Sequence, residues 1–361
     1  MASSNCFKKL APDNRMDDSP PKPPRRQRYA GRNPRSFVDK YKEHQPETYP
    51  EDIAKILHSG KTPAGMHRPI MVREVLTALA LLPGNDVVDC TLGYGGHACE
   101  LLAAVQPGGR LLGVEADPIE LPKTEARLRA LGAPDASIVL RRMNFSGVSQ
   151  FLAVEAPDGV DALMADLGVS SMQLDDPLRG FSFKVDGPLD MRMNPNRGLS
   201  ASDLLSTLNS AQLQTMLMDN SDEPNAEKLA KTIQSAHSKI PLETTLALVN
   251  VIRSALQTLA KSELDLAIRR VFQSLRIAVN EEFRSLDLFL KQLPFYMKKG
   301  GRVAILTFHS GEDRRVKASF KQGFQNGLYS SITHEVIRPS VSELQANSRS
   351  SSAKLRLAIR A

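Results

Sequence analysis

The chain has 361 residues, 41% apolar and 24% charged, the make-up of a globular protein with room for two domains, or for one carrying a large insertion. The longest apolar run, Val75–Leu82, falls far short of the roughly 18 residues that cross a bilayer, and the N-terminus has no apolar h-region, so membrane and secreted classes are not expected. The net charge of +7 is concentrated at the ends: residues 1–45 hold 11 Lys and Arg against 5 Asp and Glu, and residues 338–361 hold 5 against 1, around a slightly acidic body. Basic termini of this kind often contact nucleic acid.

Residues 1–66 read as a flexible basic tail and linker, with S-P-P-K-P-P at Ser19–Pro24 and an Arg-rich stretch at Arg25–Arg35. That composition cannot pack a core. A passive solvated tail and an RNA-contacting arm both fit it, while Asp13, Asp17 and Asp18 speak against a transit peptide. Cys6, Cys90 and Cys99 show no paired spacing, so neither a disulfide framework nor a structural zinc site is expected, and a reducing compartment fits. The absence of Trp and 5% aromatic content disfavour a stacking platform for single strands.

From His67 the pattern changes. Met71–Leu82 has helical apolar spacing and stops at Pro83-Gly84; short apolar strands then alternate with helices. Strands are expected at Asp86–Thr91, Arg110–Val114, Ser137–Leu140 and Val160–Leu167, with helices at His97–Val105 and from Pro118 to Leu131. Such alternation implies right-handed crossovers and a parallel sheet covered on both faces. Residues 176–196 are a loop dense in Gly, Pro and Asp, and 200–265 read as helices, an inserted helical domain. A helix at Glu281–Lys298, a stop at Lys299-Gly300-Gly301, and strands at Arg302–Phe308 and Lys354–Ile359 return to the first pattern. The division is therefore 1–66 tail, 67–175 core, 176–265 loop and helical insert, and 266–361 core again.

The first strand delivers Asp89-x-Thr91-x-Gly93-x-Gly95-Gly96-His97. Glycines let the chain turn sharply and let a ligand approach the backbone, and the following helix aims free amides at it. Glu115 ends the next strand, where a carboxylate can accept ribose hydroxyls. A dinucleotide and S-adenosylmethionine both fit this arrangement. The acidic Asp89 beside the loop disfavours a pyrophosphate and suits the cationic amino or sulfonium group of the methyl donor. Asp166 closes the fourth strand ahead of Leu167-Gly168-Val169-Ser170-Ser171, and strand-end residues of open parallel sheets share one crevice. A turn-capping role for Asp166 fits equally.

Five segments then resemble one family. They are Asp166–Asp175 (D-L-G-V-S-S-M-Q-L-D), Arg179–Met193 (R-G-F-S-F-K-V-D-G-P-L-D-M-R-M), Phe272–Asn280 (F-Q-S-L-R-I-A-V-N), Phe308–Lys317 (F-H-S-G-E-D-R-R-V-K) and Ser351–Arg356 (S-S-A-K-L-R). In this order they resemble the MraW-type small-subunit rRNA methyltransferase H family, from about His67 to Ala361. The resemblance implies an α/β, Rossmann-like S-adenosylmethionine-dependent methyltransferase core with an inserted helical domain. It implies methylation of the exocyclic N4 of a cytidine in the decoding region of 16S-type rRNA. It also implies cofactor contacts at Gly95, Gly96, His97, Glu115, Phe145, Asp166 and Gln173. This sequence departs from the family pattern at Glu115, usually Asp; at Gly311, usually Leu; at Ser221-Asp222-Glu223, usually G-E-E; and at Leu266–Arg270, usually H-P-A-T-R.

Catalysis on a poorly nucleophilic amino group needs alignment and proton acceptors. Asp166 and the Gly168–Ser171 turn, with Ser170, form the expected acceptor set. His309 and Ser310 are expected in the same crevice, with His309 either taking the released proton or serving as a structural histidine. Arg179, Lys184, Arg192, Arg197, Arg314 and Arg315 fit phosphate contacts or internal salt bridges. Phe181 and Phe183 fit stacking on an extruded base or pinning of the loop. The +4 C-terminal stretch is the first expected grip on rRNA. The expected partner is small-subunit rRNA, alone or in a 30S-type subunit, in the cytoplasm or in an organelle. Two other readings stay open: a methyltransferase of this fold acting on another RNA or on DNA, and a non-catalytic ribosome-assembly factor.

Overall fold

The computed structural model describes residues 69–361; the tail and linker read at 1–66 lie outside them. The architecture follows from where the apolar runs fall. Strands β1 (Asp86–Asp89), β2 (Arg110–Glu115), β3 (Ile138–Arg142), β4 (Val160–Asp166) and β5 (Met297–Thr307) are parallel, and β6 (Tyr329–Ile332) and β7 (Lys354–Arg360) complete one seven-stranded sheet. Its order is β3-β2-β1-β4-β5-β7-β6, with β7 antiparallel to both neighbours.

Near-continuous apolar strands belong in a sheet covered on both sides, and the side-chain period of two divides each strand between two cores. Val88, Leu112, Leu163 and Val303 pack on one face against Phe151, Leu152 and Phe289. Their neighbours Val87, Leu111, Ala162 and Ala304 pack on the other against Leu79, Leu101 and Leu102. The covering helices include α1 (Val72–Leu79), α2 (Gly96–Val105), α3 (Glu120–Arg129) and α4 (Val148–Glu155). After the short α5 (Ser171–Asp175), α6 (Ala201–Thr207), α7 (Ser210–Ser221), α8 (Ala226–His237), α9 (Thr245–Ala255) and α10 (Lys261–Val279) form the insert; α11 (Glu282–Gln292), α12 (Ser310–Gln325) and α13 (Val341–Ala346) follow. Capping boxes at Ser200 with Asp203 and Asn209 with Gln212 start α6 and α7, satisfying otherwise orphaned amides.

The insert has its own apolar core, and that core reaches from Phe181 to Leu275. The boundary read at residue 265 therefore falls inside α10, whose apolar face (Ala267, Ile268, Val271, Phe272) belongs to the insert. Lys299-Gly300-Gly301 does not stop a helix. The helix ends at Gln292, and the glycines make an irregularity within β5, where its register with β4 shifts between Val160 and Ala162. The sequence reading contains no β6, because Tyr-Ser-Ser-Ile is four residues long with its two serines exposed.

Candidate active site

The carboxyl ends of β1, β2 and β4 meet around a cavity of about 530 Å³, within the usual range for small-ligand sites. The turn after β1 is built by its own polar groups. Thr91 donates its amide to Asp89 Oδ1 at 3.0 Å, and its Oγ1 accepts the Asp166 amide at 2.7 Å. One threonine thus ties two strand ends together. The Gly93 amide donates to Glu115 Oε2 at 2.7 Å and the Asp117 amide to Oε1 at 2.8 Å, so the extra methylene of Glu115 is folded back against the glycine turn.

The structure brings Gly96, His97, Glu115 and Phe145 to the cavity wall, and Asp166, Ser170 and Gln173 with them. Phe145 stands in the turn after β3 and meets the edge of Phe289, with ring centroids 5.4 Å apart. Ser170 is the N-cap of α5: its Oγ accepts the Gln173 amide, and its own amide donates to Gln173 Oε1. Gln173 is buried and donates through Nε2 to Asp117 Oδ2 at 3.0 Å, which fixes the Gly168–Ser171 turn against the end of β2.

Four expected residues are not on the wall: Gly95, His309, Ser310 and Asp89. Gly95, at φ 86°, is the N-cap of α2 and faces a second groove on the other side of the glycine turn. A Cβ there would sit 2.8 Å from Thr124 Cγ2, so Gly95 is needed for the turn and its packing. Gly93 takes the place on the wall. His309 follows Phe308, which lines the cavity, and alternation along the chain sends the imidazole the other way. Its ring lies 5.8 Å from that of Phe283, and Nε2 is 3.2 Å from Glu312 Oε1, close enough for charge contact but off the line of a hydrogen bond. Ser310 is also outside, with its Oγ donating to Asp222 of the insert at 3.2 Å. Asp89, read as meeting the ligand's cation, lies beneath the wall and acts through its charge.

Most motif arginines have internal partners. Arg179 donates to Asp117 at 2.8 Å and to the carbonyls of Arg192 and Met193. Arg192 holds Asp190, and Arg314 holds Asp222. Arg315 lies over the Phe283 ring and 3.4 Å from Asp287. Lys184 and Arg197 are exposed. In the C-terminal motif, Lys354 and the buried Arg356 both hold Asp313, at 3.0 and 2.6 Å, so this pair is not the RNA grip the sequence suggests. Phe181 is buried in the insert core and Phe183 meets Phe272 edge-on at 5.4 Å; they pin the loop.

The strand-end acids differ sharply from these. Burial pushes Asp89 up to about 6 and Glu115 up to about 7. Burial, with the charges of Asp89 and Glu312, pushes Asp166 up to about 8. Among the described residues none of the three has a Lys or Arg ion pair. Asp166 Oδ1 is buried without a hydrogen-bond partner, and Oδ2 lies 3.6 Å from His97 Nδ1. His97 Nε2 is 3.0 Å from the Ile70 carbonyl, which can only accept, so the ring proton sits on Nε2. Burial lowers His97 to about 4, leaving it neutral near pH 7. Three carboxylates with so little positive charge against them favour a cationic ligand, and a buried oxygen without a partner fits the same conclusion. S-adenosylmethionine, with its sulfonium and ammonium, meets that requirement.

A doubly wound sheet, a glycine turn after β1 and acids ending β2 and β4 define a Rossmann-like methyltransferase. The chain belongs to the MraW methylase family, which matches residues 64–361. Ribosomal RNA small subunit methyltransferase H 2 of Alkaliphilus metalliredigens is 48% identical over 351 residues, 96% of this chain and 100% of its own length. Ribosomal RNA small subunit methyltransferase H 1 of Lachnoclostridium phytofermentans is 45% identical over 100% of both chains. Ribosomal RNA small subunit methyltransferase H of a Geobacter species is 40% identical over 81% of this chain and 97% of its own. The first two matches extend into the basic N-terminal segment, which the sequence reading places outside the resemblance.

Proposed function

We propose that this chain methylates the exocyclic N4 of a cytidine in the decoding region of small-subunit rRNA, on an assembled or assembling subunit. The observation that carries the chemistry is Asp166, a carboxylate of raised proton affinity at the end of β4, in a cavity whose neighbouring strand-end acids also lack a Lys or Arg partner. The names of the relatives support the substrate class, and such a substrate supports a site of action where small subunits are built, the cytoplasm or an organelle.

S-adenosylmethionine, when bound, supplies the methyl group. Glu115 keeps lone pairs for the ribose hydroxyls beyond the two amides it already accepts. Phe145 offers a ring beside the adenine, and His97, Asp166 and the buried Asp89 supply the polar, negative end for the amino acid portion. The cytosine N4 lone pair is delocalised into its ring. Asp166 accepts a hydrogen bond from N4–H, which orients the amino group. With the donor bound, N4 would take the methyl carbon as the carbon–sulfur bond broke with its electron pair going to sulfur, and the N–H electron pair would return to nitrogen as the proton passed to Asp166. Ser170 and Gln173 hold the turn beside it.

Transfer of labelled methyl to separated small-subunit rRNA, small subunits, tRNA and DNA, followed by nucleoside mass spectrometry, tests this. N4-methylcytidine in the small-subunit RNA is the expected product. Label confined to tRNA or DNA, or to a different modified base, overturns it.

A further inference from the structure

The cavity wall carries a buried carboxylate, Glu312, that the reaction above does not use. Glu312 lies in the first turn of α12, on the same wall as Asp166. The fold sets the two close: Asp166 pairs in register with Leu306 of the neighbouring β5, and the Leu167 amide donates to the Leu306 carbonyl. Glu312 is 3% exposed; its Oε2 accepts the Phe308 amide at 2.9 Å and its Oε1 faces His309 Nε2 at 3.2 Å. His309 is itself held by Phe283. A Cβ at Gly311 would meet the Phe283 ring at 2.5 Å and His309 Nδ1 at 3.2 Å. The glycine that replaces the family's leucine therefore makes room for the ring that braces His309.

We propose that Glu312, clamped by the Phe308 amide and His309, is a positioning residue whose fixed negative charge makes Asp166 the base of the site. The inference rests on Asp166 being the proton acceptor. Glu312 and three other groups face or press on Asp166. His97 from α2 is neutral near pH 7. Thr91, at the end of β1, accepts the Asp166 amide. Asp89, also on β1, adds a like charge, and Glu312 on α12 adds another. Arg276 of α10 is the guanidinium on the Glu312 side of the wall, and Glu282 already holds it through two hydrogen bonds of 2.8 and 2.9 Å.

Asp166 and Glu312 are driven in opposite directions. Burial, then Asp89 and Glu312, raise Asp166. Burial works against Glu312 too, yet His309, Arg276 and the Phe308 amide together hold it below the usual carboxylate range. Paired acids pushed apart in this way take different roles. Glu312 stays ionised as a fixed charge. Asp166 keeps a proton until a cationic ligand displaces it, and then has a strong affinity for the one that N4 releases. His309 has a part in this account, not as the acceptor but as the brace behind Glu312.

The test is a carboxyl ¹³C NMR titration of Asp166 in the ligand-free protein, its resonance identified by its loss in Asp166→Asn. In Glu312→Gln, which keeps an oxygen for the Phe308 amide, the Asp166 midpoint should fall by about one pH unit. The acid limb of the methyl-transfer pH profile should move with it. Glu312→Asp, which retains the charge, should restore most of the shift. An unmoved Asp166 midpoint in Glu312→Gln overturns the inference, as does a rate loss equal at every pH. The underlying reading fails separately, if Asp166→Asn still transfers methyl at the wild-type rate.

Discussion

Two sets of aspartates and glutamates in this protein have opposite surroundings. Asp117, Asp190, Asp222 and Asp313 each hold an arginine. Three of these pairs join the turn after β2 to the motif loop, the insert to the core, and α12 to β7, while Asp190–Arg192 lies within the motif loop. Asp89, Glu115 and Asp166 end adjacent strands, and among the described residues they hold no arginine or lysine. The paired set accounts for most of the family motif arginines, so a motif arginine here is usually a structural tie. The unpaired set marks the ligand site, because a cluster of buried acids is stable only when protonated or matched by a cation.

The comparison is broken most directly at Asp166. Asp166→Asn should lower single-turnover methyl transfer by about three orders of magnitude, within the range attributed to a general base. The same change removes a half-buried carboxylate that has no Lys or Arg partner, so the melting temperature of the ligand-free protein should hold or rise. A fall in melting temperature of several degrees would place Asp166 in the structural set. Asp313→Asn is the converse. It leaves the buried Arg356 without its carboxylate, and breaking a buried pair costs about 3 kcal/mol, readable by urea denaturation. S-adenosylmethionine affinity, measured by calorimetry on the folded protein, should be unchanged. Loss of affinity with intact stability would show that Asp313 belongs to the site.

The sequence makes the site's acids legible and leaves its cations illegible, for a physical reason. Glu115 and Asp166 end apolar runs whose length and flanking turns identify parallel strands, and the carboxyl ends of such strands converge. Gly93 and Gly96 come with them. Partnership is different. Arg179 finds Asp117 across 62 positions and Arg349 finds Asp175 across 174; no local spacing encodes either contact. The same limit applies to Lys354 and Arg356, which read as a basic end and are in fact bound to Asp313. The side of the chain taken by His309 depends on how β5 passes into α12, and Gly95 differs from Gly93 only by the direction of a tight turn. The insert's boundary at 265 is not legible because α10 is a single helix whose apolar face serves the insert core while its last turn brings Arg276 to the cavity.

A smaller but more diagnostic effect lies in pH. Asp89, Glu115 and Asp166 have folded values of about 6, 7 and 8, above the ordinary carboxylate range. Between those limits the folded state holds protons that the unfolded chain has released. These groups therefore make the ligand-free protein less stable as pH rises from about 4 to about 8, and the decline should level off above that. Cation binding runs the other way. Ionised carboxylates receive the sulfonium, so affinity for S-adenosylmethionine should rise between pH 6 and 8, about tenfold per unit for one linked proton. S-adenosylhomocysteine has no charge on sulfur and should show a shallower slope. Calorimetry of both ligands across that range measures the difference. Equal slopes would mean that the strand-end acids do not sense the sulfonium, and the contrast between paired and unpaired acids would lose its functional meaning.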